Sequence, residues 1–176
     1  QGTIALEILG ELGNADYIIA PIGGGGLISG IAVAAKTINP NIKIIGVEPE
    51  GAKSMKTSID NDRLICLDNV CTIADGVAVK NPGNMNFSII KHYVDEIITV
   101  SDFDIMESFL ELLQYHKLIG ENSGVLPLAA LKKIQERNKK IVCVVSGGNI
   151  DVVTISTMIN QGLVSKGRIF CFSVNL

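Results

Sequence analysis

Four consecutive glycines separate a predicted strand from a predicted helix. Residues 17–22 form a short apolar run, residues 27–35 continue with a helical pattern, and the glycines between them are Gly23, Gly24, Gly25 and Gly26. Because glycine has no Cβ, such a loop can adopt positive φ angles and turn several N–H groups toward one point. The N-terminus of the following helix points its own free N–H groups there as well. The pattern predicts a binding site for a phosphate group, with a purely structural turn as the alternative.

Dinucleotide-binding proteins also place glycines between a strand and a helix. Their fingerprint needs glycines at the first, third and sixth positions, and no register of this loop supplies them. Glu48 does end the next predicted strand, where a ribose-binding acid would lie. The Walker pattern is absent too, since no Lys-Ser or Lys-Thr pair directly follows the glycines. A simple phosphate monoester is therefore the favoured ligand.

The composition is typical of a single α/β domain with a sizeable core. Of the 176 residues, 47% are apolar and only 5% are aromatic. A net charge of −3 with scattered basic residues argues against a nucleic-acid or membrane partner. No apolar run approaches a membrane span, and no signal peptide is visible. The four cysteines form no CxxC motif, which favours reduced thiols in a cytoplasmic protein.

Strand and helix patterns alternate, which predicts an open, mainly parallel sheet covered by helices. The predicted strands are residues 17–22, 43–47, 96–100 and 140–145, the last with the pattern of a strand buried on both faces. The predicted helices begin at Thr3, after the glycines and near Asp151, and cover residues 84–94, 101–118 and 125–136. Ser101 and Asp104 match a capping box. Residues 53–81 are predicted to be irregular.

A second glycine-containing turn, Ser-Gly-Gly-Asn at residues 146–149, follows the last predicted strand. In open parallel sheets, ligands bind outside the carboxyl ends of the strands. Taken alone, this turn is typical of any strand-to-helix connection. Together with the glycines at 23–26 it predicts one site, with bare backbone from one turn and the Ser146 hydroxyl from the other.

Four motifs occur in an order that resembles one enzyme family. They are Pro-Ile-Gly-Gly-Gly-Gly-Leu at 21–27, Gly-Val-Glu-Pro-Glu at 46–50, Thr-Ile-Ala-Asp-Gly-Val at 72–77 and Val-Ser-Gly-Gly-Asn at 145–149. Over nearly its whole length the chain resembles the fold type II pyridoxal-phosphate enzymes, in the branch that contains threonine ammonia-lyase (threonine dehydratase) and serine racemase. Within that branch the resemblance is closer to threonine ammonia-lyase.

This resemblance implies a cofactor, a reaction and residue roles. The N–H groups from Gly23 to Leu27 would bind the phosphate of pyridoxal phosphate, and Ser146 would bond to the pyridine nitrogen. Gly76 would line the substrate side, and Glu121 would lie close to the ring. The implied protein is a cytoplasmic homo-oligomer that converts L-threonine to 2-oxobutanoate and ammonia, or acts on L-serine. Its role, isoleucine biosynthesis or threonine catabolism, stays open.

The Ser-Phe-Lys segment that carries the Schiff-base lysine in this family is absent from the chain. No catalytic residue is therefore predicted here, and the chain is expected to be the later half of the catalytic region, inactive by itself. Residues 1–164 would form the large-domain portion, and residues 165–176 a terminal strand that resembles the start of an ACT-like regulatory domain.

Two other functions stay open at this point. One is serine racemase or another hydroxyamino-acid lyase of the same family. The other is a non-catalytic domain that binds a phosphate or a dinucleotide, for which the missing lysine is the main argument.

A cation site is a further implication of the resemblance. In the serine racemase branch, the glutamate that matches Glu48, the carbonyl that matches Ala52 and an aspartate two residues later bind a divalent ion. That last position is Ser54 here, so a charged ligand is missing and a monovalent ion, or none, is favoured. The alternative for Glu48 is a solvated acid at the end of a strand.

Overall fold

The computed structural model describes residues 1–170 and 172–174. The strands are β1 (Tyr17–Pro21), β2 (Lys43–Pro49), β3 (Glu96–Val100) and β4 (Ile141–Cys143). The helices are α1 (Thr3–Glu11), α2 (Gly26–Ile38), α3 (Ser54–Asp60), α4 (Asn84–Tyr93), α5 (Asp102–Glu111), α6 (Leu126–Leu131) and α7 (Val152–Ser165). No helix in this described part of the chain combines the length and the apolarity that crossing a membrane requires.

The four strands form one parallel sheet in the order β3-β2-β1-β4. The chain proceeds outward from β1 through β2 to β3, and then returns to the other side of β1 to form β4. The helix after β1, α2, packs on one face of the sheet, and the helix after β4, α7, packs on the other. These two connections diverge, which opens a crevice at the carboxyl ends of β1 and β4. The predicted fold class, an open parallel sheet covered by helices, is confirmed.

Alternate side chains of β1 point to opposite faces of the sheet and join two cores. Tyr17 and Ile19 belong to the core under α5, α6 and α7, with Phe109 at its centre. Ile18 and Ala20 belong to the core under α1 and α2, which Met55 of α3 and Ile90 of α4 complete. Every residue of β1 is buried, because the strand is paired on both edges and covered on both faces.

β4 is shorter and more exposed than the sequence predicts. Ile141–Cys143 of the predicted strand 140–145 form the regular strand beside β1, and all three residues are half-buried. Two hydrogen bonds with β1 extend past its ends, from the Tyr17 N–H to the Lys140 carbonyl at 3.1 Å and from the Val144 N–H to the Ile19 carbonyl at 2.9 Å. Both faces of β4 are covered as predicted, since Ile141 and Cys143 pack against one core and Val142 packs against the other. The burial is only partial, because β4 lies at an edge of the described sheet.

The segment 53–81 is not wholly irregular, contrary to the prediction, since it contains α3 and a 3₁₀ turn at Asp75–Val77. The residue preceding α3 supplies no side-chain cap. Instead the Glu48 carboxylate, near the end of β2, accepts the N–H groups of Met55 at 2.9 Å and Lys56 at 2.7 Å. A cap that comes from another element leaves no local signal in the sequence.

Two predicted helices end earlier than expected. The helix predicted to reach residue 118 is α5 followed by a π-helical turn, Leu112–His116, and Lys117 ends it with a φ of 58°. The helix predicted over 125–136 is limited to α6, Leu126–Leu131. The periodic apolar pattern continues past the last residue of both helices. Such a pattern therefore predicts that a helix exists more reliably than it predicts where the helix ends.

The predicted terminal strand is not observed in the part of it that the structure describes. Ser165 is the last residue of α7, and residues 166–170 and 172–174 adopt no strand. Extended backbone forms a strand only where a neighbour accepts its hydrogen bonds, and none of the four described strands pairs with these residues. The other residues of this segment, Cys171, Asn175 and Leu176, lie outside the described residues.

The capping box predicted at the start of α5 is confirmed. The Ser101 hydroxyl accepts the N–H of Asp104 at 3.1 Å, and the Asp104 carboxylate accepts the N–H of Ser101 at 3.0 Å. Two N–H groups that the helix itself cannot pair are thereby satisfied.

We expect Ser101→Ala to lower the free energy of unfolding by about 1 kcal/mol, because one of these N–H groups loses its partner. Ser88→Ala is the control, since Ser88 is exposed within α4 and alanine favours a helix. Urea unfolding of both variants checks this. Equal stabilities would contradict the capping role.

Candidate functional site

A pocket of about 240 Å³ lies outside the carboxyl ends of β1 and β4. We call it the β1–β4 pocket. Its lining comprises the loop residues Gly23, Gly24, Gly25, Gly26 and Leu27 together with Pro21, Gly76, Val77, Glu121, Ser123 and Ser146. Every residue that the sequence analysis assigned to the cofactor or to its ring is in this lining. The structure thus brings together residues that lie up to 123 positions apart, from Gly23 to Ser146 (146 − 23).

The glycines of the loop serve two different purposes. Gly25 has a φ of 92°, and a Cβ on it would lie within 2.9 Å of Asn86, Met55 and Ile90 side-chain atoms. Only glycine therefore fits there. A Cβ on Gly24 or Gly26 would instead meet no atom within 4 Å. The fold therefore requires glycine at position 25, whereas the glycines at 24 and 26 leave the surface of the loop without side chains.

The N–H groups of this loop are available to a ligand. Ile22 still donates to the Val47 carbonyl at 2.8 Å, and Ser29 donates to the Gly25 carbonyl at 3.0 Å. Between them, the N–H groups of residues 24–27 make no hydrogen bond with other described residues. Free N–H groups at the N-terminus of a 13-residue helix suit a phosphate.

The electrostatic character of the pocket follows from its lining. No lysine or arginine is among the described residues that form it, and Glu121 is its one ionisable side chain. The N–H groups of the loop and the dipole of α2 therefore supply the positive potential that an anion needs. A phosphate ester fits such a cradle, and its charge would be held by backbone rather than by side chains.

The second turn lies across the pocket from the loop, and close packing holds it there. Gly147 has a φ of 97°, and a Cβ on it would overlap the Glu121 carboxylate. A Cβ on Gly124 would overlap the Ser146 carbonyl. The N–H of Glu121 also donates to the Gly147 carbonyl at 3.2 Å. These contacts place Ser146 and Glu121 side by side in the pocket.

Ser123 and Val77 line the pocket but were not predicted from the sequence. Ser123 is only 5% exposed, and its Oγ would be 2.8 Å from a Cβ on Gly76. Gly76 therefore has no side chain because Ser123 and Glu121 occupy that space. The only sequence signal for Ser123 is its place in the glycine-bounded turn at 120–124, and such a turn by itself predicts just a loop.

A smaller cavity of about 110 Å³ adjoins the β1–β4 pocket. The two cavities share Gly76, Glu121 and Ser123, so these residues form the boundary between them. Further walls of the smaller cavity come from Asp75 and Asp151. The Glu121 side of the site is therefore more acidic than the loop side.

Glu48 and Ala52 do not line the β1–β4 pocket. Glu48 is fully buried, so its interpretation as a solvated acid is wrong. Burial raises the pKa of its carboxyl to about 7, against the opposing effect of the N–H groups of Lys56 and Met55. The described residues contain no group of three His, Cys, Asp or Glu side chains that could hold a metal ion. A cation at Glu48 and Ala52 stays a prediction.

The raised pKa of Glu48 predicts a pH-dependent stability. The folded state holds this proton more tightly than the unfolded state, whose value is near 4.5. Its contribution to stability is therefore fully present below the unfolded pKa and is lost as the pH rises through about 7.

Between about pH 5 and about pH 8, we expect the natural chain to lose roughly 2 kcal/mol more stability than Glu48→Gln does. Urea unfolding at both pH values measures this difference. Glu50→Gln is the control, since Glu50 is exposed and lies two residues along the chain. Parallel pH profiles for the natural chain and Glu48→Gln would contradict the expectation.

Comparison with known proteins identifies the family. The sequence profile of the family described as "Pyridoxal-phosphate dependent enzyme" matches residues 1–147. The chain therefore belongs to the family of pyridoxal-phosphate dependent enzymes. The resemblance drawn from the four sequence motifs is confirmed.

The similar proteins include an L-threonine ammonia-lyase, a threonine deaminase and a serine racemase. The chain is 45% identical over 169 residues to an L-threonine ammonia-lyase of Thermotoga maritima, and the match covers 96% of this chain but 42% of that protein. Its fold resembles threonine deaminase isoform 2 of Solanum lycopersicum, with a TM-score of 0.86, 36% identity and coverage of 93% and 46%. It also resembles serine racemase of maize, with a TM-score of 0.83, 36% identity and coverage of 94% and 52%.

Proposed function

We propose that this chain is the phosphate-binding part of a pyridoxal-phosphate-dependent L-threonine ammonia-lyase. The observation that carries the proposal is the β1–β4 pocket, where free N–H groups of the loop face Ser146 across one crevice. Similarity to the L-threonine ammonia-lyase of Thermotoga maritima supports the choice of substrate. Because the chain spans 42% of that relative, the proposed activity is that of the whole protein.

Different residues of the pocket bind different parts of the cofactor. The N–H groups of residues 23–27 bind the phosphate, which anchors the molecule without adding a base to the site. The Ser146 hydroxyl bonds to the pyridine nitrogen, and being neutral it does not hold a proton there as a carboxylate would. Gly76, Glu121 and Ser123 form the wall on the side where the substrate would lie, with Ser123 and Glu121 packed against Gly76.

The cofactor supplies the electron sink for the bond that breaks at the α-carbon of the amino acid. The overall change is balanced: one L-threonine yields one 2-oxobutanoate and one ammonia, with water lost at the β-carbon and regained when ammonia leaves. No lysine lines the pocket in the described part of the chain. We therefore place the lysine that joins the cofactor outside this chain, which would be inactive alone.

A second candidate within the family is serine racemase. The fold similarity to maize serine racemase, at 36% identity, favours it over more distant alternatives. Assays of the whole protein for 2-oxobutanoate from L-threonine and for D-serine from L-serine separate the two. A dinucleotide-binding function is disfavoured, because the loop lacks the spaced glycines that a pyrophosphate requires.

Three further properties are proposed, namely a bound cation, association into an oligomer and a cellular location. A monovalent cation near Glu48 and Ala52 is supported by the Ser54 hydroxyl, which is buried without a partner among the described residues. Association into a homo-oligomer is supported by Val152 and Val153 of α7, which are 78% and 76% exposed. A cytoplasmic location is proposed from the family resemblance alone.

Gly26→Asp tests the phosphate site at a position that has room for a side chain. In the whole protein we expect it to weaken pyridoxal-phosphate affinity at least about tenfold, by repelling the phosphate. An acid in the first turn of a helix is favourable for folding, so α2 should stay intact. Gly26→Asn has nearly the same shape without the charge and serves as the control.

Cofactor affinity is measured by titration of the whole protein after the cofactor has been removed. Affinity in Gly26→Asp equal to that of Gly26→Asn would count against a phosphate at this loop. Gly25 is not suitable for this test, because any side chain there collides with Asn86, Met55 and Ile90.

Ser146→Ala tests the contact with the ring. In the whole protein we expect the fold to be retained, the absorbance maximum of the bound cofactor to shift and turnover of L-threonine to fall. Ser88→Ala, on the exposed face of α4, is the control. A native spectrum together with native turnover would show that the Ser146 hydroxyl has only a structural role.

A further inference from the structure

The peptide that joins Gly24 to Gly25 is held from outside the β1–β4 pocket. The carbonyl of Gly24 accepts two hydrogen bonds, one from Nδ2 of the Asn86 side chain at 2.8 Å and one from the N–H of Gly83 at 3.3 Å. Asn86 lies in the first turn of α4, and Gly83 directly precedes that helix. One helix start therefore supplies both donors to a single carbonyl of the loop.

The planarity of the peptide bond converts this contact into an orientation. In a trans peptide the C=O and the following N–H point in opposite directions. Drawing the Gly24 carbonyl toward α4 therefore turns the Gly25 N–H away from α4. Residues of α4 do not line the β1–β4 pocket, whereas Gly25 does. The Gly25 N–H is thus directed to the side on which a phosphate would lie.

The same side chain also forms the back of the loop. A Cβ on Gly25 would lie 2.9 Å from the Cβ of Asn86 and 2.8 Å from Cδ1 of Ile90. With four glycines in a row, the loop has almost no side chains of its own to restrict its backbone. The contacts from α4 replace that missing restraint. Among the described residues, Asn86 is the only one whose side chain donates a hydrogen bond to the Gly24 carbonyl.

We propose that Asn86 is a positioning residue, which sets the Gly24–Gly25 peptide so that the Gly25 N–H points at the phosphate. This inference rests on the proposed phosphate-binding function. An amide suits the role, because its NH₂ group donates to a carbonyl without bringing a charge near the anion. An aspartate in this place would be an acceptor only and would repel the carbonyl.

The test uses the 176-residue chain and two probes, pyridoxine 5′-phosphate and pyridoxine. Neither carries an aldehyde, so neither forms a covalent bond with surface lysines, and they differ only in the phosphate. Asn86→Leu keeps the branched shape of the side chain but removes the donor. Asn84→Leu makes the same exchange two residues earlier, at an exposed position of the same turn.

Calorimetric titration is expected to show that the natural chain and Asn84→Leu bind pyridoxine 5′-phosphate more tightly than pyridoxine. Asn86→Leu should bind pyridoxine 5′-phosphate about tenfold more weakly, with unchanged affinity for pyridoxine. If Asn86→Leu binds the phosphate ester as tightly as the natural chain does, the role of Asn86 is overturned, while the proposed phosphate site is not. An equal loss of affinity for both probes would also overturn the role of Asn86, because it would show damage to the whole pocket and not to phosphate binding in particular.

The natural chain itself tests the underlying function. If it fails to prefer the phosphate ester, both proposals are overturned, and this outcome is distinct from a failure in Asn86→Leu only. The backbone amide signal of Gly25 in an NMR spectrum without ligand gives a second measurement. We expect this signal to move in Asn86→Leu and to stay in place in Asn84→Leu, and an unmoved Gly25 signal in Asn86→Leu would contradict the proposed orientation.

Discussion

The parallel pairing of β1 with a neighbour on each side is the constraint on which the rest of the structure depends. β2 follows β1 along the chain, whereas β4 is reached only after the chain has passed through β3 and returned. Connections from neighbouring strands that leave in opposite directions cannot fill the space between them. The β1–β4 pocket is this unfilled space, so its position is a consequence of strand order. The loop and Ser146 meet there because each follows one of the two strands.

Local patterns predicted the part of the site that local chemistry determines. The strand, the glycines at 23–26 and α2 are adjacent in sequence, and the capping box at Ser101 needs only three further residues. α3 was missed because its cap, Glu48, belongs to β2. The burial of β4 was overestimated because an apolar pattern describes the faces of a strand and says nothing about its edges.

Sequence analysis missed Ser123, which lines the pocket, and Asn86, which lies behind its loop, for a different reason. Ser123 becomes part of the site because Gly76 has no side chain and lets the two segments approach. Asn86 matters through a carbonyl 62 residues earlier in the chain. Neither residue type carries a signal by itself, since serine and asparagine are common in turns and first helical turns. Such residues acquire a role only through contacts that tertiary structure creates.

Because the glycine loop has almost no side chains of its own, side chains packed behind it fix its conformation. Glu48 caps α3, and α3 carries Met55, whose Cε would lie 2.9 Å from a Cβ on Gly25. α4 adds Ile90 and Asn86 against the same glycine. The buried carboxylate of Glu48 therefore supports the glycine loop through the helix that it caps, and the same burial raises its pKa to about 7. A loop of four glycines needs such a rigid support, because glycine has no side chain to restrain its own conformation.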